Sequence, residues 1–309
     1  MTDSFNALGT TVEGSIIASA DTARTLWDII KDTISKFENN FSRFNPDSEL
    51  SKVNNANGQP VIISPEFAYL LNAGRHAYNL SHGLVDPAVG QAVINVGYDD
   101  SFENLRDDSP ATQYTTQPKF TGFGKILFDP VRRLVQLPPG VKLDVGGIGK
   151  GYLLDFMVSK IKTKTPDFWL SLGGDMIISG YDENHRRWTV NVQDPNKLTN
   201  DIAVVTLPAG LWAIATSSVM KRRGQRGGQD WHHLIDPRTQ MSSDTNILSA
   251  TVITPTALGA EVEAKMNILN DLNDEPGDLP GSPYEYTMIV TRAGHVKMTP
   301  AMKPLVKFL

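Results

Sequence analysis

The chain contains no cysteine among its 309 residues. This absence excludes disulfide bonds, thiolate catalysis, zinc sites built on cysteine and a lipid anchor on an N-terminal cysteine. Any reactive or metal-binding group in this protein must therefore come from another residue type.

Long apolar runs are also missing. No stretch approaches the length of about 18 apolar residues that a membrane-spanning helix needs. The N-terminal MTDSFNALGTTVEGSII has an early Asp3 and no charged region leading into an apolar one, so we expect no signal peptide. These features predict a soluble, cytoplasmic protein that does not bind membranes.

The chain has no large excess of one charge. Its net charge is −5 at pH 7, with 20% charged and 40% hydrophobic residues, which is typical of an ordinary globular protein. The negative sign disfavours nucleic acid or an anionic membrane as the main partner. The length suits one large domain or two medium ones.

Apolar residues at helical spacing predict four helices. They are DTARTLWDIIKDTISKFENNFSRF (21–44), SPEFAYLLNAGRHAYNLSHG (64–83), YLLDFMVSKIKTK (152–164) and TALGAEVEAKMNILNDL (256–272). In the second helix Ser64 is placed to cap the N-terminus, and Pro65 suits the first turn. FNPDSELSKVNN (44–55) is typical of a turn, and 97–119 of a polar surface excursion.

Short stretches broken by Gly and Pro predict strands. They are TTVEGSIIAS (10–19), ILFDP (126–130), RLVQLP (133–138), VKLDV (141–145), FWLSLGGDMIISG (168–180), RWTVNVQDP (187–195), IAVVTLPAGLWAIATSS (202–218), HHLIDPRT (232–239), LSATVITP (248–255) and a terminal hairpin at 284–302. This order favours an α+β protein with much antiparallel sheet over strict βαβ alternation.

A glycine-rich stretch, KLDVGGIGKGYLLD (142–155), poses the main functional question. Its spacing fits neither the dinucleotide fingerprint GxGxxG nor the Walker A pattern. Glycines permit a ligand to approach the backbone closely, and Lys150 could add a charge to phosphates. Taken alone, the stretch is equally compatible with a plain strand–turn–helix junction.

Several turns combine small residues with an acid or a histidine at a strand end. Together, DSELSKVNN, DPAVG, LDVGGIGKGY, LGGD and HLIDPRT, in this order, resemble the ApbE family of FAD:protein FMN transferases. The resemblance covers most of the chain. It implies an ApbE-like, T-fold-related α+β fold with largely antiparallel sheets and flanking helices. It also implies that 1–309 form a single flavin transferase unit of two intertwined subdomains.

The resemblance further implies an activity and its ligands. Family members bind FAD, cut its pyrophosphate with a bound Mg²⁺, release AMP and pass FMN to a Ser or Thr hydroxyl of an acceptor flavoprotein. Residues at family positions that contact FAD are Leu8, Phe44, Leu84, Val85, Asp86, Asp144 and Ile235. Lys150 is a further candidate for FAD binding because of its charge in the glycine-rich stretch. Phe44 stands where a ring commonly meets the isoalloxazine, and an aromatic suits stacking there.

Two residues are the candidates for catalysis. His233 matches the family histidine proposed to deprotonate the acceptor hydroxyl, and histidine suits a general base near neutral pH. Lys150 would neutralise charge on the phosphates. His232, the neighbour of His233, is the weaker candidate.

The match fails at the metal. The family holds Mg²⁺ with a backbone carbonyl, here that of Gly147, and with an Asp and a Thr on the late helix, here Glu261 and Lys265. Lysine has three donors and no acceptor, so it cannot ligate a metal. Its ammonium could instead pair with Glu261, or the two could form an ordinary contact on a solvated face. A second departure is ATSSVMKRRGQ, where the family usually reads ATSGDY.

Three functions remain open. The first is an FMN transferase with an altered metal site. The second is a protein that holds FAD without transferring it, with Lys265 in place of the metal. The third is an FAD pyrophosphatase that releases FMN and AMP to water.

Overall fold

The computed structural model describes residues 1–100, 122–226, 228–270 and 286–309. The expected surface excursion at 97–119 therefore lies outside the described residues from position 101 onward. No helix in the described part of the chain is both long and apolar enough to cross a membrane.

The chain divides into two compact units, each made of separate stretches. The first unit comprises Met1–Thr33, Lys150–Met220 and Asp244–Leu309. The second comprises Ile34–Gly149 and Lys221–Ser243. The division between Gly149 and Lys150 falls inside the glycine-rich stretch.

Helices form where the apolar spacing predicts them, with two short additions. The α-helices are α1 (Ala20–Phe41), α2 (Glu49–Asn54), α3 (Pro65–Leu80), α4 (Gly90–Val96), α5 (Gly149–Ile161) and α6 (Ala257–Leu269). Ser64 caps α3 by accepting the Phe67 N–H, with Pro65 in the first turn, as expected.

Strands account for most of the remaining regular structure. They are β1 (Thr2–Ala7), β2 (Thr10–Ile16), β3 (Val61–Ile62), β4 (Leu127–Asp129), β5 (Leu134–Gln136), β6 (Phe168–Leu172), β7 (Asp175–Ser179), β8 (Thr189–Gln193), β9 (Asp201–Thr206), β10 (Leu211–Ser218), β11 (Arg223–Arg226), β12 (Gln229–His232), β13 (Ile235–Asp236), β14 (Met241–Ser242), β15 (Ile247–Thr254), β16 (Tyr286–Thr291), β17 (Val296–Met298) and β18 (Val306–Phe308).

The first unit is built on an eight-stranded sheet in the order β1-β2-β6-β7-β10-β15-β16-β17. Every neighbouring pair in it is antiparallel. Helix α6 packs against β10 and β15, and β15 is buried along its whole length. A second sheet, β18-β9-β8, shares an apolar cluster with the large sheet that includes Val205, Ile214 and Ile253.

The second unit contains the sheet β3-β5-β4 and the two hairpins β11-β12 and β13-β14. Its apolar cluster joins α4 to the hairpin region through Ala92, Val93, Val96, Trp231 and Ile235.

This architecture confirms the α+β class with largely antiparallel sheets and corrects three local predictions. VKLDV forms no strand; a single bridge joins Lys142 to Val89. The turn predicted at 44–55 contains α2, because Ser48 caps it by accepting the Ser51 N–H. Helix α5 begins at Gly149, inside the glycine-rich stretch rather than after it.

Candidate functional site

Helices α5 and α6 of the first unit meet closely, and Gly151 makes this possible. A Cβ on Gly151 would lie 2.7 Å from the Ala257 carbonyl oxygen and 2.7 Å from the Leu258 Cα, both backbone atoms that cannot yield. The first N–H groups of a helix have no acceptor within the helix. At the start of α6, Asp155 of α5 accepts those of Ala257 and Leu258, at 2.7 and 2.9 Å. Burial raises the pKa of Asp155, and Glu261 raises it further, against these hydrogen bonds.

A cluster of four charges lies beside this contact. We call Lys150, Asp175, Glu261 and Lys265 the lysine–carboxylate cluster. Lys150 forms ion pairs with Asp175 and, at 3.7 Å, with Glu261 Oε1. Lys265 Nζ lies 3.2 Å from the same Oε1. The side chain of Glu261 is only 1% exposed, and its Oε2 accepts the Gly151 N–H at 2.8 Å.

The cluster is electrically balanced, because two ammonium groups face two carboxylates. The Glu261–Lys265 pair predicted from i, i+4 spacing is present, but Glu261 is buried, so the alternative of a solvated surface contact is wrong. Buried charges persist only when they are paired, and each member of the cluster depends on the others.

A buried carboxylate on α6 stands outside this cluster. Glu263 is 2% exposed, and its Oε2 has no hydrogen-bond partner among the described residues. Burial raises its pKa to about 9. Glu263 is therefore neutral at physiological pH.

In the second unit, Asp144 is held by Arg43. The Arg43 Nε donates to Asp144 Oδ2 at 3.1 Å, and both side chains are largely buried. The other oxygen of Asp144 accepts the Gly146 N–H at 2.7 Å. The guanidinium carbon of Arg43 lies 4.1 Å from the Phe44 ring centre and 4.6 Å from that of Tyr98.

Phe44 and Asp144 thus share a partner although a hundred positions separate them in sequence. Tyr98 stacks on Trp231, with ring centres 5.9 Å apart and an angle of 19°. A run of rings and one guanidinium therefore extends from Phe44 to the strand that carries His232.

Asp86 has a structural task. It is 5% exposed and accepts the N–H groups of Ala88 and Phe123 at 2.7 and 3.1 Å. Burial raises its pKa to about 6, although these hydrogen bonds act in the opposite direction. Val85, its neighbour, is also buried, and Leu84 is partly exposed.

The two histidines lie at the end of β12. His232 is the last residue of the strand, and its Nε2 lies 2.9 Å from the Ser243 carbonyl oxygen. His233 follows the strand, is partly exposed, and donates its backbone N–H to the Arg222 carbonyl. Ile235 is buried in the apolar cluster with Trp231, so it is a core side chain in this structure.

Leu8 occupies an unusual backbone conformation. Leu8 and Gly9 form the two-residue turn between β1 and β2, with φ of 56° and 60°. Both residues of a type I′ turn need positive φ, which glycine adopts freely and leucine does not. Such strain is concentrated at functional positions.

Comparison with known proteins places this geometry in a family. A sequence model described as the ApbE family matches residues 8–275. The chain belongs to the ApbE family. The FAD:protein FMN transferase of Haemophilus influenzae is 24% identical over 256 residues, which are 81% of this chain and 72% of that protein. The FAD:protein FMN transferase of Rhodobacter capsulatus is 30% identical over 252 residues, 80% of this chain and 47% of that protein.

Solved structures of ApbE proteins share the fold. The crystal structure of the ApbE protein from Thermotoga maritima superposes with a TM-score of 0.82 at 25% identity, covering 99% of this chain and 98% of that one. The flavin transferase ApbE from Vibrio cholerae gives a TM-score of 0.76 at 19% identity, covering 99% and 98%.

The late-helix residues of this ApbE chain do not fit Mg²⁺. Lys265 offers no acceptor, and the oxygens of Glu261 already face two ammonium groups and the Gly151 N–H. Unit charges about 4 Å apart interact by about 4 kcal/mol near a protein surface, so a dication bound to Glu261 would be opposed by several kcal/mol. Among the described residues, no group of three His, Cys, Asp or Glu side chains could hold a metal.

Sequence reasoning missed two members of these groups. Asp175 is the acid of LGGD, a motif whose sequence alone indicates no role for it, and it is an ion-pair partner of Lys150. Arg43 directly precedes Phe44, yet nothing in its local sequence shows that it reaches Asp144.

Proposed function

We propose that this chain is an FAD:protein FMN transferase that works without a divalent cation. It binds FAD and transfers FMN to a Ser or Thr hydroxyl of an acceptor flavoprotein. The observation that carries the metal-free form is the lysine–carboxylate cluster, in which Lys265 and Lys150 both face the buried Glu261. Membership of the ApbE family and relatives named FAD:protein FMN transferase support the activity.

The reaction exchanges one phosphorus–oxygen bond for another. The acceptor oxygen attacks the FMN phosphorus, the bond from that phosphorus to the bridging oxygen breaks, and AMP leaves with the electron pair. His233 takes the hydroxyl proton as general base. Lys150 and Lys265 supply positive charge for the phosphate oxygens, a role that lysine commonly fills.

Three flavin-contacting residues of this proposal, Phe44, Asp86 and Asp144, belong to the second unit. Phe44 is 39% exposed, which leaves a ring face available for a flat heterocycle. Asp86 and Ile235 would act through the shape of their turns, since both side chains are buried.

Transfer is tested with FAD and a peptide that carries an acceptor Thr. We expect covalent flavin on the peptide and an equal amount of AMP, both lost with His233→Asn. His76→Asn, on α3, is the matched histidine control. Free FMN in place of labelled peptide would instead identify a pyrophosphatase.

The second candidate, an FAD-binding protein without turnover, is favoured by the same ion pairs. In this candidate the ammonium group of Lys265 contacts the pyrophosphate in place of a metal, but its pairing with Glu261 leaves no free cation to draw charge onto the leaving AMP. Tight FAD binding without AMP release, with or without peptide, would support it over the transferase.

A further inference from the structure

The terminal nitrogens of Arg43 are not all accounted for by the contacts that hold it. Its side chain is 10% exposed, and its Nη2 is buried without a hydrogen-bond partner among the described residues. Buried polar groups are nearly always paired, and a guanidinium donor has no other way to be satisfied than by an acceptor. An unpartnered donor of this kind points to a missing acceptor.

The same residue lines a cavity in the second unit. The cavity has a volume of about 210 Å³, and its walls include Arg43, Phe44, Ser51, Asn54, Lys142 and Leu143. Pockets that enclose whole drug-sized ligands measure roughly 300–1,000 Å³. This cavity is therefore suited to one ring system rather than to an entire dinucleotide.

The neighbouring amide cannot serve as the missing acceptor. Asn54 uses its Oδ1 to accept the Leu143 N–H at 2.7 Å and its Nδ2 to donate to the Leu143 carbonyl at 2.9 Å. Arg43 itself is fixed on three sides, by Asp144 through Nε and by the faces of Phe44 and Tyr98. A donor so restrained is pre-organised for a ligand acceptor in one position.

We propose that Arg43 is a flavin-binding residue whose Nη2 donates to an acceptor atom on the edge of the isoalloxazine ring, while its Nε positions Asp144. This inference rests on the proposed function, because it takes FAD as the ligand. The ring, rather than the pyrophosphate, is the partner because Arg43 lies against Phe44, the aromatic that would stack on the flavin, and both line the same small cavity. The edge of the isoalloxazine carries carbonyl oxygens and ring nitrogens that accept hydrogen bonds.

Arg43→Lys is the informative change. Lysine keeps the positive charge but lacks the planar guanidinium. It therefore cannot bind the Asp144 carboxylate, lie over the Phe44 ring and donate to a ligand acceptor at the same time. Arg75→Lys is the matched control, since the Arg75 guanidinium also lies over a ring, that of Phe128 at 5.3 Å, but the residue is partly exposed. Where Arg43→Lys does not fold, Arg43→Gln, which keeps a planar amide donor, carries the same comparison.

Comparing the affinities for FAD and ADP distinguishes recognition of the isoalloxazine ring from recognition of the rest of FAD. ADP contains the pyrophosphate and adenosine but no flavin. We expect Arg43→Lys to weaken FAD roughly tenfold or more, as for other hydrogen bonds from charged groups, to leave ADP affinity unchanged, and to shift the visible absorption spectrum of bound FAD. Arg75→Lys should change none of the three.

The outcomes distinguish this inference from the proposed function. Equal losses for FAD and ADP in a folded variant, or an unchanged FAD affinity and spectrum, would overturn the role of Arg43 while FAD binding by the wild type stands. Failure of the wild type to bind FAD would overturn both proposals.

Discussion

Removing the Lys265 ammonium should destabilise the protein, because Glu261 loses an ion-pair partner. Glu261 is 1% exposed in the wild type, and in Lys265→Thr only Lys150, at 3.7 Å, remains as an ion-pair partner for its Oε1. Breaking a buried pair by removing one partner costs about 3–5 kcal/mol. Because the Lys150 contact remains, we expect a loss of about 2–3 kcal/mol in the free energy of unfolding.

Urea unfolding measures this loss, and the design separates it from other effects of threonine. Lys160→Thr, an exposed position in α5, controls for the weaker helix propensity of threonine, which costs about 0.5 kcal/mol. Adding Glu261→Gln to Lys265→Thr removes the orphaned charge and should recover much of the lost stability. An unfolding free energy of Lys265→Thr that equals that of Lys160→Thr would refute the reasoning.

The same position governs the response to Mg²⁺. The wild type should show no Mg²⁺-dependent change in stability or FAD affinity. Glu261→Asp combined with Lys265→Thr restores two oxygen ligands one helical turn apart, so we expect this double variant to be stabilised by Mg²⁺ and to gain Mg²⁺-dependent release of AMP. A wild type that already depends strongly on Mg²⁺, with no improvement in the double variant, would mean that other groups hold the metal.

Two further predictions concern single positions. Because the pKa of Glu263 is raised from 4.5 to about 9, the folded protein holds a proton that the unfolded chain releases, so wild-type stability should fall as the pH rises between these values. Relative to Glu263→Gln, the wild type should lose roughly 2 kcal/mol in its free energy of unfolding between pH 7 and 9, at a slope below about 1.4 kcal/mol per pH unit. The exposed Glu183→Gln serves as control. Parallel stability–pH profiles of the wild type and Glu263→Gln would contradict this prediction. Leu8→Gly relieves the positive φ of 56°, so thermal unfolding without ligand should occur at an equal or higher temperature while FAD binds more weakly; unchanged FAD affinity would reduce Leu8 to a turn residue.

The sequence predicts the larger elements well because their signals are local. Helix α3 carries its own cap in Ser64 and Pro65, and its buried positions follow from spacing. Ile29 of α1 shows the limit, since it fits the apolar spacing yet is 39% exposed. Spacing identifies a helix but does not fix the width of the face that its neighbours cover.

Segments whose conformation depends on distant partners were not predictable in the same way. VKLDV has the composition of a strand, but Leu143 bonds to the side chain of Asn54 and Asp144 donates its N–H to the Pro87 carbonyl. These contacts replace the ladder of a neighbouring strand, and only the bridge from Lys142 remains.

The candidate site likewise has contacts that local sequence predicts and contacts that depend on residues distant in sequence. The i, i+4 pair of Glu261 and Lys265 follows from helix geometry and is confirmed. The contribution of Asp175 and Lys150 requires knowing that β7 and α5 come together at α6, which periodicity does not reveal. The ion pair of Arg43 with Asp144 is not predictable for the same reason, since the two residues are remote in sequence.

FMN transfer from FAD without a divalent cation is tested by measuring both products with and without the metal. Wild-type protein is incubated with FAD and a peptide carrying an acceptor Thr, in EDTA and in Mg²⁺, and AMP and flavin-labelled peptide are both quantified. We expect equal amounts of AMP and labelled peptide, formed at the same rate in both conditions. Formation of both products in Mg²⁺ and of neither in EDTA would show that transfer requires a divalent cation.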